Sequence, residues 1–321
     1  MACCALLLTA ALLGPGGAWA LVAQPPRPHI VFIVVDDMGY HNIRAPPLHV
    51  NSEISSPTLT RMAAEGITLS NYYAYKYCGP SRASLLTGRY PGHGISEGMF
   101  SSASPRAYNG NLTLLPAKLA ATGYQTHGMG KWHMGFWQRR FLPTSRGFGT
   151  WLGYLSGAED HFDQKTGDSC TSTGHVTGTD LWADYGNGSQ PVGGDNAVGT
   201  NGTYSGYIYS DRAVEVITEH GLRNDSATTP MFMYLALHNI HGPDEVTDEF
   251  LALYDEEIWP AMRTLDAILW SARSTQRWLT CHLRWSAQGW RRTLLLSLSR
   301  ISESIPISLH LPALPFVRPE P

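Results

Sequence analysis

The chain has 321 residues, of which 43% are hydrophobic and 15% charged, and its formal net charge is -3. That length accommodates one large domain or two smaller ones around a sizeable core. So small a net charge gives no electrostatic basis for binding nucleic acid.

Residues 2–20, ACCALLLTAALLGPGGAWA, form an apolar run that breaks at Gly-Pro-Gly-Gly and ends in Ala-Trp-Ala. The run reads as a secretory signal peptide (residues 1–20) cleaved near Ala20, without the usual basic n-region. It is too short for a stable membrane span, and no later run is long enough. Cleavage would leave Cys78, Cys170 and Cys281. Three cysteines cannot all pair within one chain, so at least one thiol stays free, joins another molecule or reacts. Sequons at Asn111, Asn187, Asn201 and Asn224 fit the secretory pathway, with a lysosomal or extracellular destination.

HIVFIVVDDMG, residues 29–39, is a continuous β-branched and aromatic run and predicts a strand buried on both faces. SSPTLTRMAAEG predicts a helix with Ser56 as cap, Pro57 at its first position and Gly66 as its stop. SRASLLTG predicts a short helix following Cys78, and TLLPAKLAATG another that closes on Gly123. YQTHGMG is a weaker strand signal. Residues 151–203, rich in Gly, Asn, Thr, Ser and Asp, read as a long loop. YSGYIYSDRAVEVITEHG predicts an amphipathic helix ending at Gly221, and MFMYLALH a buried strand. Strands that alternate with helices predict an α/β fold with a mostly parallel sheet covered on both sides. The sequence shows no internal repeat.

Residues 262–321 differ in kind, with eight arginines, no lysine, three acidic residues and four of the ten tryptophans. No period of 3.6 or 2 runs through them, so they predict a poorly ordered tail outside the main domain. Such a segment is either a basic, Trp-bearing binding tail or a stretch never selected to pack, such as the product of altered splicing or a shifted frame.

In open α/β sheets, ligands sit beyond the carboxyl ends of the strands. Unusual polar residues follow three of the predicted strands: Asp36 and Asp37 after the first, Lys131 and His133 in GKWHMG, and His241 in NIHGP. Cys78 stands ahead of a helix, whose first N–H groups favour an anion. The thiol could be a nucleophile, a disulfide partner, a metal ligand or the raw material of a modification. Each residue also has an ordinary reading: solvated or capping aspartates, packed histidines, a surface lysine, a small buried thiol. Together, two carboxylates suit a hard divalent cation, while Arg82, Lys131 and two histidines suit an anionic, oxygen-rich substrate. That combination outlines sulfate or phosphate ester chemistry.

CGPSRASLLTG at residues 78–88 resembles the first signature of the type I sulfatases, Cys-x-Pro-Ser-Arg followed by two small-or-any positions, two aliphatics and Thr-Gly. GYQTHGMGKWHMG resembles their second signature, with Met129 where a smaller residue is usual. The order Asp-Asp, Cys-x-Pro-x-Arg, Gly-Lys-Trp-His, His-x-Pro matches as well, over about residues 28–260. Arylsulfatase B is among the members it most looks like.

The resemblance implies an alkaline-phosphatase-like fold and calcium-dependent hydrolysis of sulfuric esters of aryl groups or of sulfated sugars such as glycosaminoglycans. It implies that Cys78 is oxidised to formylglycine by the formylglycine-generating enzyme, which reads Pro80 and Arg82. It further implies that Asp36, Asp37 and the modified Cys78 bind calcium. Arg82 and Lys131 would hold the aldehyde hydrate and sulfate oxygens, His133 would accept a proton, and His241 would bind sulfate or protonate the leaving oxygen. The family completes its calcium site with a later Asp-Asn pair and adds a further lysine. No Asp-Asn-Gly lies within residues 244–321, and no lysine follows Lys165. The family's smaller C-terminal domain is not recognisable either. The expectation is therefore an incomplete catalytic domain over 28–260 and an unrelated tail from 262. Alternatives are a non-catalytic secreted glycoprotein, or a phosphatase or phosphonate hydrolase of the same superfamily.

Overall fold

The computed structural model describes residues 27–39, 42, 56–93, 101–108, 110–168, 174–185, 202–226 and 228–252, with the backbone alone of 169–170, 192–193, 293–298 and 308–309. The signal-peptide expectation and most of residues 262–321 lie outside the described residues.

The elements follow the predicted order through the first half. β1 spans His29–Val35, α1 Pro57–Glu65, β2 Ile67–Thr68, α2 Cys78–Thr87, α3 Leu115–Ala121, β3 Gln125–Gly130 and β4 Thr150–Gly153. Pro57 opens α1 as expected, but Ser56 makes no side-chain capping bond and Gly66 is extended. α2 starts at Cys78 itself rather than after it, so the thiol belongs to the helix's first turn. Gly88, at φ 70°, closes α2 in the left-handed region, its N–H donating to Ser84 O at 2.8 Å.

The stretch read as one long loop is instead partly ordered. β5 (Lys165–Cys170) and β6 (Gly174–Thr179) form an antiparallel hairpin, and β7 (Trp182–Asp184) and β8 (Val192–Gly193) extend the main sheet. The hairpin ribbon is solvent-exposed along β6, so it lacks the apolar alternation that marks a half-buried strand. Then come α4 (Ser205–Gly221), β9 (Met231–Leu237), α5 (Asp248–Leu251), β10 (Thr293–Leu298) and β11 (Ser308–Leu309).

Among the described residues the main sheet has seven strands, in the order β10-β1-β9-β3-β4-β7-β8. The first five run parallel, and β7 and β8 are antiparallel at one edge. β10, from the tail, pairs with the outer edge of β1, His29 opposite Thr293 and Val34 opposite Leu298. Alternation divides β1 and β9 between two cores. Val31, Ile33, Val35, Met231, Met233, Leu235 and Leu237 pack against Tyr209, Ala213, Val216 and Ile217 of α4. Phe32, Val34, Phe232, Tyr234 and Ala236 face the other side, toward Ala83 and Leu86 of α2 and the Trp132, Phe148 and Trp151 rings. Burial on both faces removes the period-2 pattern and leaves the continuous apolar runs seen in the sequence. Among the described residues no helix is long and apolar enough to cross a membrane.

Candidate active site

The carboxyl ends of β1, β9 and β3 lie side by side, and each delivers polar groups to one place. Asp36 follows β1, its N–H donating to Leu237 O at 2.9 Å, while Lys131 follows β3, its N–H donating to Ala236 O at 2.9 Å. Both residues are thus pinned to β9. The Lys131 ammonium is fully buried and donates to Asp36 Oδ2 at 2.5 Å. Arg82, on the inward face of α2 and 2% exposed, places Nη2 3.2 Å from Asp36 Oδ1. Its Nη1 donates to Lys131 O at 3.0 Å and to the Tyr234 hydroxyl at 3.2 Å. Burial alone would raise the Asp36 carboxyl, but Lys131 and then Arg82 hold it far below the usual carboxylate range. The group is a buried carboxylate clamped by two cations.

Cys78, a free and buried thiol, sits against this cluster at the head of α2. Burial, with Asp36 as the next cause, pushes its thiol up from the ordinary value, so it rests protonated. Gly79 is required beside it: a Cβ there would lie 2.4 Å from the Tyr108 ring. His241, in the turn after β9, is half-buried, and its Nδ1 pairs with Gly242 O at 2.8 Å. Since a carbonyl only accepts, Nδ1 carries a proton in this contact. Ligand atoms of Asp36, Cys78 and His241 all lie within 4.8 Å of one another.

His133 is buried, with φ of 51° and its N–H on Leu155 O at 3.2 Å. Burial first, then Lys131 and Arg82, lower its imidazole well below the ordinary value, so the ring is neutral. Its Nδ1 has no hydrogen-bond partner among the described residues. Gly157 closes over the ring, since a Cβ there would come 2.8 Å from His133. Next to Cys78 opens a cavity of about 740 Å³ whose lining includes Asp36, Asp37, Tyr72, Arg82 and Arg89.

Of the three metal ligands expected from the sequence, Asp36 and Cys78 come together and His241 joins them, while Asp37 falls outside that group. Calcium takes six to eight oxygen ligands. With residue 78 as a thiol, the described group offers a carboxylate, a sulfur and a nitrogen, short of calcium's oxygen count; the modified residue 78 that the resemblance implies would present oxygen in place of that sulfur.

A second buried cluster backs the site and was not visible in the sequence. Glu159 accepts from Tyr209 Oη at 2.5 Å and lies 3.7 Å from His238 Nε2, which also pairs with Ser205 Oγ at 2.9 Å. His238 O accepts the His241 N–H at 2.9 Å, so the cluster anchors the turn that carries His241. Burial pushes Glu159 well above the ordinary carboxyl value and holds His238 well below the ordinary imidazole value, so the His238 ring is neutral. The one sequence signal was His238 itself, a polar residue closing an otherwise apolar run.

Comparison with known proteins bears on the family and the fold. A sequence model of the Sulfatase family matches residues 28–269. Mouse arylsulfatase J is 35% identical over 235 residues, covering 72% of this chain and 36% of that protein. Mouse N-acetylgalactosamine-6-sulfatase is 31% identical over 261 residues, covering 77% of this chain and 45% of that protein. The chain thus spans between about a third and a half of these relatives. Among solved structures, Ps i-CgsB superposes with a TM-score of 0.69 at 22% identity, covering 90% of this chain and 66% of that one. An alkaline-phosphatase-superfamily protein from Vibrio parahaemolyticus gives 0.52 at 16% identity, covering 89% and 60%. These likenesses establish the alkaline-phosphatase-like fold.

Proposed function

This chain belongs to the sulfatase family, and on that premise we propose that its site is built to hydrolyse sulfuric esters of sugars or aryl groups, with Cys78 as the precursor of formylglycine. The observation that carries the reading is Cys78 at the head of α2, facing the buried Asp36, Arg82 and Lys131 cluster with His241 beside it. A hydrated aldehyde at residue 78 would supply one hydroxyl to attack sulfur and a second to expel sulfate.

The chain's own residues do the rest. The N-terminus of α2 favours negative charge at residue 78, and Lys131 and Arg82 add positive charge that needs no reorganisation. His133, held neutral with Nδ1 unpartnered among the described residues, can accept a proton there. His241 brings a ring nitrogen to the same group, with its Nδ1–H on Gly242 O. The cavity beside Cys78, about 740 Å³, has the volume to hold a sugar ring. Expected partners are a sulfated glycan or small aryl sulfate and the formylglycine-generating enzyme, met in the secretory pathway on the way to a lysosome or the cell exterior. The resemblance implies calcium at Asp36, Asp37 and the modified Cys78, where it would add positive charge beside the sulfate of a bound ester.

The test is expression of the full chain in cells that carry the modifying enzyme, followed by mass spectrometry of the tryptic peptide Tyr77–Arg82. An aldehyde at residue 78 and turnover of an aryl sulfate in preference to the matching aryl phosphate support the reading. Unmodified cysteine throughout, or faster cleavage of the phosphate, would overturn it. A converted chain that binds sulfate but turns nothing over would favour the non-catalytic alternative.

A further inference from the structure

We infer that, while Cys78 remains a thiol, Cys78, His241 and Asp36 form a binding site for one borderline-soft divalent cation of the zinc type. The three donors are a sulfur, an imidazole nitrogen and a single carboxylate oxygen, all within 4.8 Å of one another. Around a tetrahedral zinc, donors stand about 3.5 Å apart, so they need to close by little more than an ångström. Cys78 and Asp36 are buried and His241 is half-buried, so the group is not an exposed acidic patch.

Each donor is held by something other than a metal. Cys78 is fixed in the first turn of α2 and Asp36 by its N–H on Leu237 O. The Nδ1–H of His241 donates to Gly242 O, the outer contact that sets tautomer and ring orientation in metal-bound histidines. Thiolate and imidazole select zinc, cobalt or cadmium over calcium and magnesium, which prefer oxygen. Asp36 already faces Arg82 and Lys131, but each carboxylate oxygen has a second lone pair, so coordination need not break those contacts. With Cys78 as thiolate, Asp36 and Asp37 negative and Arg82 and Lys131 positive, the formal charge before the ion binds is one negative. Three protein donors leave a fourth position open to water.

Binding converts Cys–SH and M²⁺ into Cys–S–M⁺ and H⁺, so one proton leaves for each ion bound. The site belongs to the unconverted thiol form and is independent of sulfate hydrolysis, because oxidation of residue 78 to an aldehyde removes its sulfur.

The probe is cobalt(II), titrated into full chain whose Cys78 is shown to be unmodified by mass spectrometry. The expected result is a sulfur-to-cobalt charge-transfer band in the near ultraviolet that saturates at one equivalent, with one proton released and displacement by zinc but not by calcium. His241→Ala should weaken binding tenfold or more, and Cys78→Ser should abolish the band. The aldehyde form of the native chain, which avoids substitution altogether, should lack the band too. No band in the native thiol form would overturn the inference. So would a band that survives Cys78→Ser, which would assign it to Cys170, Cys281 or the cysteines near the N-terminus.

Discussion

Replacing Asp36 by asparagine tests whether the buried cluster is held together by charge. Asp36 is 5% exposed and Lys131 fully buried, and Arg82 retains Lys131 O and the Tyr234 hydroxyl as partners. Lys131 is therefore the group stranded by the change. Breaking one partner out of a buried ion pair costs roughly 3–5 kcal/mol, because the remaining charge is uncompensated. Asparagine keeps one oxygen acceptor, which places this case in the lower half of that range. Domains carry only about 5–15 kcal/mol in total, and roughly 2–4 °C of melting temperature is lost per kcal/mol at this size. Asp36→Asn should thus melt roughly ten degrees below the native chain by circular dichroism, with a matching shift of the urea midpoint. Adding Lys131→Met removes the stranded charge and keeps the volume, so the double variant should recover part of the loss. An Asp36→Asn protein within about 0.5 kcal/mol of native, the scatter of ordinary surface changes, would refute the reasoning. A double variant less stable than the single one would do the same.

Glu159 has its carboxyl raised above 4.5 by burial, so it stabilises the fold below that pH and the contribution is lost as pH rises through the folded value. Glu159→Gln should accordingly gain stability relative to native as pH rises above 4.5, and a flat difference across thermal melts from pH 4 to 8 would contradict this. His127 is lowered from 6.5 to about 4, by burial and then by His220, so its stabilisation is full above 6.5 and is lost as pH falls toward 4. His127→Gln should flatten the acid limb of stability against pH by roughly 3 kcal/mol, as read from denaturant melts. Asp36→Asn should also respond more strongly than native to inorganic sulfate, since Lys131 is released from its carboxylate; equal sulfate-induced rises in melting temperature would count against that.

The parts of the site that were legible in the sequence share one feature: each follows an apolar strand directly. Asp36 ends HIVFIVV and Lys131 and His133 follow YQTHGMG, so strand recognition alone placed them at one sheet end. His241 is reached one short turn past MFMYLAL. Cys78 was legible through its neighbours Gly79, Pro80 and Arg82, though its place inside α2 was not, because nothing in SRASLLTG marks the helix as beginning three residues earlier. Glu159 was hidden in a Gly-rich stretch, and its partners Tyr209 and His238 lie 50 and 79 residues away in sequence, a pairing only the packing of α4 on the sheet creates. The β5–β6 hairpin escaped for the opposite reason. It lies in solvent, so its ladder carries no apolar pattern, and its composition is that of a loop.

Charge balance ties the site's parts together. Asp36 and Asp37 carry two negative charges against Arg82 and Lys131, so with a neutral thiol the formal charge is zero. An arriving sulfate ester is itself an anion. At about 4 Å and an effective dielectric of 20, each unit pair is worth roughly 4 kcal/mol, so attraction by the two cations is largely cancelled by the two carboxylates. His133 adds no charge, because burial holds it neutral. The remaining attraction is the N-terminus of α2, worth about 0.3–1 kcal/mol at an exposed site. Firm anion binding here thus calls for a cation brought in from outside, and the chemistry of residue 78 decides which kind. As a thiol, Cys78 makes the donor set sulfur, nitrogen and oxygen, which selects a zinc-type ion. Exchanging that sulfur for oxygen moves the same three positions toward harder cations. One oxidation at residue 78 would therefore change both the nucleophile and the metal preference of the site, coupling the modification to the charge the substrate needs.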